Sequence, residues 1–213
     1  MAQRANLHRD HSTNSTGWGA WLADRLDYPE GARILEVGCG AGWLWSETDK
    51  AEVLGWKPTL SDLSAGMVAE ARACLGQHDR FRFLTADSQH LPFPDNHFDG
   101  LPSCHMLYHV PDRARAIAEF RRVTRPGARL LVATNGNSHL KEFWEIIGRV
   151  TGSPPKMSAS HNFGLENGGD QLAEHFRDVT LERFPDALVV PEVEPLVDYA
   201  RSSPGQQPTR TNT

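Results

Sequence analysis

The run Ile34-Leu35-Glu36-Val37-Gly38-Cys39-Gly40-Ala41-Gly42 sets three glycines at alternate positions directly after an apolar stretch. Glycine accepts backbone conformations that other residues resist, and it lets a ligand come close to the main chain. A helix that begins just beyond such a turn adds unpaired N–H groups. In a parallel α/β sheet this is the place where ligands bind, at the carboxyl end of the first strand. The spacing is Glu-x-Gly-x-Gly-x-Gly. A dinucleotide fingerprint needs glycine or alanine three places after Gly40, where Trp43 stands, and the Gly-Lys-Ser/Thr of a phosphate loop is absent.

Two carboxylates complete the pattern. Asp62 lies twenty positions beyond Gly42 at the end of the next predicted strand, where a carboxylate can accept both hydroxyls of a ribose. Asp87, in Thr85-Ala86-Asp87-Ser88, ends a third, where it can accept a hydrogen bond from an adenine amino group. Taken singly, each aspartate reads equally well as a turn or helix cap. Three successive strand ends with Gly-rich, Asp and Asp-Ser chemistry favour a nucleoside site.

The elements that must hold these residues follow from pattern and punctuation. Apolar runs bounded by turn residues predict strands over 32–37, 58–61, 82–86, 98–103 and 129–134. Helices are expected from Ser15 or Thr16 to Leu26, over 43–51, from the Ser64 cap to Leu75 with Gly76 as the stop, and over 112–123, ended by Pro126-Gly127. A further helix over 138–150 should turn Phe143, Ile146, Ile147 and Val150 inward. The fold class is therefore α/β, a doubly wound, mainly parallel sheet covered on both faces. Residues 1–10 read as a polar, mobile end, 151–169 as a long loop or lid, and 170–176 as a short helix. A strand is expected within 179–190, a last helical turn over 196–201, and disorder over 202–213. The domain reading is an amino-terminal segment or lid helix (1–31), a binding domain (32–201) and the tail.

Composition bounds the partners. With 213 residues, 39% hydrophobic and 23% charged, the chain can bury a core as a single α/β domain. Its 22 basic and 27 acidic residues give a net charge of −5, which argues against coating nucleic acid. No apolar stretch is long enough to span a bilayer, and three cysteines form neither a disulfide framework nor a zinc spacing. The expected setting is cytoplasmic, with reduced thiols, no membrane and no metal.

With these residues in place, the sequence resembles the class I S-adenosylmethionine-dependent methyltransferases of small-molecule type, close to the ubiquinone and menaquinone enzymes. Glu36 to Gly42 resembles the family's first motif, Leu60 to Met67 its second, and Ala86 to Phe93 its third. Phe98-Asp99-Gly100, Leu107 to Asp112 and Arg122 to Gly127 extend the match over roughly half the chain. Leu7-His8, Gly17-Trp18, Trp21, Asn135-Gly136 and Phe163 to Gly168 are similar to one bacterial branch of it.

The resemblance implies S-adenosyl-L-methionine as cofactor, S-adenosyl-L-homocysteine as product and a small-molecule acceptor methylated on O, N or C. It implies that Glu36 fixes the loop or the methionine amino end. Gly38, Cys39, Gly40 and Gly42 would line the cofactor, and Asp62 with Leu63 would hold the ribose side. Met67 would pack on the adenine, Asp87 with Ser88 would read its edge, and Cys104 would sit beside the methionine portion. His109 is the candidate base, against a structural reading in which it packs on the sheet and caps the helix after Pro111; His105 and His139 are weaker. His8 and His11 suit a lid or a polar tail. Trp18, Trp21, Trp43 and Trp45 suit an aromatic cage or core packing. The family's closing carboxyl-terminal strand is expected to be missing, which would leave a sheet edge for a homo-oligomer. The alternatives are a catalytically impaired protein that binds the same cofactor, a methyltransferase acting on RNA or protein, and, disfavoured by Trp43, a dehydrogenase.

Overall fold

The computed structural model describes residues 2–76, 79–152 and 159–202. These divide into two compact units, one drawn from the described residues up to Trp21 with those from Arg183 onward, the other from those between Leu22 and Glu182.

The larger unit is built on a five-stranded sheet in which every pairing is parallel. Its strands are β1 (Arg33–Val37), β2 (Lys57–Asp62), β3 (Arg82–Thr85), β4 (Phe98–Cys104) and β5 (Thr124–Ala133), in the order β3-β2-β1-β4-β5. The order reverses beside β1, where a doubly wound sheet opens a crevice at the carboxyl ends of its strands. Between the strands run α3 (Trp43–Ser46), α4 (Lys50–Val53), α5 (Ala65–Leu75) and α6 (Arg113–Val123). One face of the sheet buries Leu35, Val37 and Leu101 against Ile117 and Phe120 of α6. On β4, Gly100 admits the Tyr28 ring so closely that a Cβ there would lie 2.2 Å from it. The Lys50 ammonium satisfies the carbonyls of Ala23, Asp24 and Leu26, at the end of α2 (Trp18–Asp24).

Local signals explain the element boundaries. The Ser64 hydroxyl accepts the Met67 N–H and opens α5, and Gly76 with φ +73° ends it. The expected helix over 43–51 is instead two short ones, because the Thr48 hydroxyl accepts the Lys50 N–H and starts a new turn. The helix expected over 112–123 does end at Val123, but the strand expected from 129 begins at once, at Thr124. The shift in the β4–β5 register between Phe98 and Gly100 accommodates that early start, with Gly127 at φ +81°.

Two expectations fail on the far side of β5. Helix α7 (Lys141–Thr151) buries Phe143, but Ile146 and Val150 are exposed rather than inward. Residues 179–190 form no strand. Pro185 removes a ladder N–H there, and the Asp186 carboxylate is taken by the N–H groups of Thr13 and Asn14 and the Ser12 hydroxyl. Among the described residues the sheet thus ends at β5.

The smaller unit corrects the reading of a mobile amino end. Residues Ala2–His11 form helix α1, which contacts α9 (Glu194–Ser202) and buries Leu7. Burial lowers the His8 pKa, opposed by the Asp186 charge, and its ring lies edge-on to Tyr199. Ser12 and Leu188 form an antiparallel bridge. Within 151–169, residues 153–158 lie outside the described residues. The remainder is anchored rather than lid-like, since Phe163 is core and its carbonyl accepts the Thr134 hydroxyl. The short helix expected over 170–176 is α8 (Gly168–Ala173). Of the expected tail only Ser202 is described. No described helix is long and apolar enough to cross a membrane.

Candidate cofactor site

The glycine turn leaves β1 and folds back onto β2. The N–H groups of Gly38 and Cys39 both donate to the Ser61 carbonyl, at 2.8 and 3.0 Å. The Ser61 hydroxyl returns a bond to the Glu36 carbonyl at 2.8 Å. Asp62 then completes the clasp, with Oδ2 accepting the Gly40 N–H at 3.0 Å and Oδ1 the Ser64 N–H at 2.9 Å. The three glycines differ in use. A Cβ on Gly38 would sit 2.7 Å from Met106, and one on Gly42 2.9 Å from Leu75. A Cβ on Gly40 would meet nothing within 4 Å. With φ +52°, Gly40 faces open space at the crevice.

Beside the turn, Asp87 follows β3, whose last residue pairs with Asp62. Its carboxyl is lowered from its ordinary value, chiefly by the Gln89 N–H and then by the Gln89 amide. The adjacent Ser88 is buried.

A family model described as a methyltransferase domain matches residues 35–132. The malonyl-[acyl-carrier protein] O-methyltransferase of Erwinia pyrifoliae is 30% identical over 192 residues, covering 88% of this chain and 70% of that protein. The chain belongs to the class I S-adenosylmethionine-dependent methyltransferases. That family uses S-adenosylmethionine and releases S-adenosylhomocysteine. The ubiquinone/menaquinone biosynthesis C-methyltransferase UbiE of Hahella chejuensis is 35% identical over 118 residues, 54% of this chain and 47% of that protein. A methyltransferase structure from Aquifex aeolicus shares the fold, with a TM-score of 0.55 at 19% identity over 74% of this chain and 78% of that one. The chain spans about half the length of several curated relatives that it matches.

In this chain the sequence candidates gather at the carboxyl ends of β1 to β4. Glu36 is 1% exposed, and burial pushes its carboxyl up to about 8, against the hydrogen bond from Trp45 and with the help of the Asp62 charge. The Trp45 indole N–H reaches Glu36 Oε2 at 2.7 Å. Burial also raises the Cys39 and Cys104 thiols, with Glu36 adding to both, so neither is a ready nucleophile. Leu63 is 73% exposed next to Asp62, and Met67 is half-buried in the first turn of α5.

Other candidates lie differently. His109 ends the short 3-10 turn Leu107–His109 after β4, exposed, with its ring against Tyr108. It does not cap α6. That cap is Asp112, which accepts the Arg115 N–H at 3.0 Å. Of the four tryptophans read as a cage or as packing, Trp45 is buried on Glu36 in the larger unit, and in the smaller unit Trp18 and Trp21 stack on one another and on Phe184. Sequence reasoning did not find Met106, Ser61 or Gln89 as site residues. Ser61 lay within the second motif and Gln89 within the third, two after Asp87, whereas Met106 carried no signal.

Proposed function

We propose that this chain binds S-adenosylmethionine across the ends of β1, β2 and β3 and transfers its methyl group to an O, N or C atom of a small molecule. The observation that carries the reading is the clasp of Gly40 to Asp62 beneath open space. A ligand can reach the main chain at Gly40 while the Asp62 carboxylate, held by two N–H groups, keeps acceptor capacity for vicinal hydroxyls. The residues present fit the cofactor in type: a glycine cradle, an acceptor for the ribose, and Asp87 with Ser88 for the adenine edge. When bound, the cofactor supplies an electrophilic methyl group on a sulfonium.

The chain's own groups then bind and orient. Ser61 and Asp62 hold the turn in shape, and Glu36 with Trp45 anchors the helix that follows it. Met106 covers Gly38 from the segment after β4. Catalysis in this scheme is mainly alignment of acceptor and methyl group, with His109 proposed to take the acceptor proton. The names of relatives support a small acceptor, two of them being a malonyl-[acyl-carrier protein] O-methyltransferase and a quinone-biosynthesis C-methyltransferase. The test is calorimetric titration with S-adenosylmethionine, S-adenosylhomocysteine and, as control, NAD. Binding of both sulfur ligands and not NAD is expected. A folded sample that binds neither overturns the proposal.

A further inference from the structure

We infer that Gln89 is a positioning residue that sets the Asp87 carboxylate for the adenine amino group, and that α6 holds Gln89 in place. The inference rests on the function proposed above and deepens it. The Gln89 main-chain N–H donates to Asp87 Oδ1 at 2.9 Å, and its side-chain Nε2 reaches Oδ1 at 3.1 Å and Oδ2 at 3.2 Å. On its other side, Gln89 Oε1 accepts the Asp112 N–H at 3.1 Å, and its main-chain carbonyl accepts Arg115 Nε at 3.0 Å. The amide orientation is decided by chemistry: the end facing a carboxylate must donate, and the end facing an N–H must accept. Glutamate has the same shape but no donor for Asp87.

The rest of α6 continues the brace. Glu119 Oε2 accepts the Leu91 N–H at 2.7 Å. Arg122 donates to the carbonyls of Leu91 and Phe93, at 2.9 and 2.7 Å, and to Asp95 at 2.9 Å. Positions 112, 115, 119 and 122 lie on one helix stripe, and they meet 89, 91, 93 and 95 along a segment of turns and bends. The loop after β3 is thereby laced to a single face of α6. Asp87 therefore presents its oxygens in an orientation fixed from a helix more than twenty residues away in sequence.

This placement has a ligand readout. Adenine offers an exocyclic N–H to Asp87, whereas hypoxanthine offers an oxygen, which faces the carboxylate unfavourably. The experiment measures affinity for S-adenosylhomocysteine and S-inosylhomocysteine in the wild type, Gln89→Ala and Gln89→Glu. The wild type should prefer the adenine ligand by roughly a hundredfold, as polar mismatches in built sites allow. Both variants should lose about tenfold of that preference, the scale of one charge-assisted hydrogen bond, through weaker S-adenosylhomocysteine binding alone. Retained S-inosylhomocysteine affinity also reports that the variants are folded. Equal losses for both ligands, or an unchanged preference, would overturn the inference while leaving the proposed function standing. A wild type that binds neither ligand overturns both.

Discussion

The Gly40 main-chain N–H donates to Asp62 Oδ2 at 3.0 Å, across 22 residues of sequence. One carboxylate thus fixes the turn after β1 from the end of β2. Its second oxygen meanwhile receives the Ser64 N–H just before α5.

Replacing Asp62 should therefore act on loop and ligand together. Asp62→Ala is expected to abolish S-adenosylmethionine binding, and Asp62→Asn to weaken it on the order of a hundredfold, from charged hydrogen bonds worth about 1.5–3 kcal/mol each. Calorimetry decides it. Affinity near that of the wild type in either variant would remove Asp62 from the site.

The glycines should separate stability from binding. Gly38→Ala puts a Cβ 2.7 Å from Met106 at φ +77°, and a loss of about 2–4 kcal/mol is expected in denaturant unfolding. Gly40→Val adds side chain to open space, so the fold should survive with only the backbone cost of about 1 kcal/mol or somewhat more. Cofactor binding should nonetheless vanish. Ligand affinity surviving in Gly40→Val would place the cofactor elsewhere.

Glu36 makes the unliganded protein sensitive to pH. Its carboxyl is raised from an ordinary 4.5 to about 8, so the folded state holds a proton that the unfolded state releases. The contribution is complete below pH 4.5 and is lost as pH rises through about 8, with a slope of up to ~1.4 kcal/mol per pH unit. Stability measured across that window should fall in the wild type. The Glu36 component of the slope should disappear in Glu36→Gln, which still offers Trp45 an acceptor. Identical slopes in the two proteins would contradict the buried acid.

His109 should divide binding from turnover. His109→Ala is expected to leave S-adenosylmethionine affinity unchanged and, with an accepted substrate, to lower kcat by about a hundredfold or more. Unchanged turnover would make His109 structural.

Much of this molecule was legible from short-range pattern. The alternation of apolar runs with turn residues located all five strands, and the glycine spacing after 34–37 located the turn. Ser64 and Gly76 marked the ends of α5, because caps and left-handed stops are chemistry within a few residues. Such signals run out where competing local bonds are nearly equal. The Thr48 hydroxyl broke the helix expected over 43–51, and Val179 to Val190, strand-like in composition, yielded Asp186 to the loop after α1.

What the sequence by itself determined was the order of the elements and the residue types at the strand ends. Only the tertiary structure decided the pairings: Trp45 on Glu36, Met106 over Gly38, Gln89 between Asp87 and α6. The physical reason is one of range. Propensity, capping and turn chemistry act between neighbours along the chain. A hydrogen bond from Gln89 to Asp112, or from Gly40 to Asp62, exists only once packing has brought distant segments together.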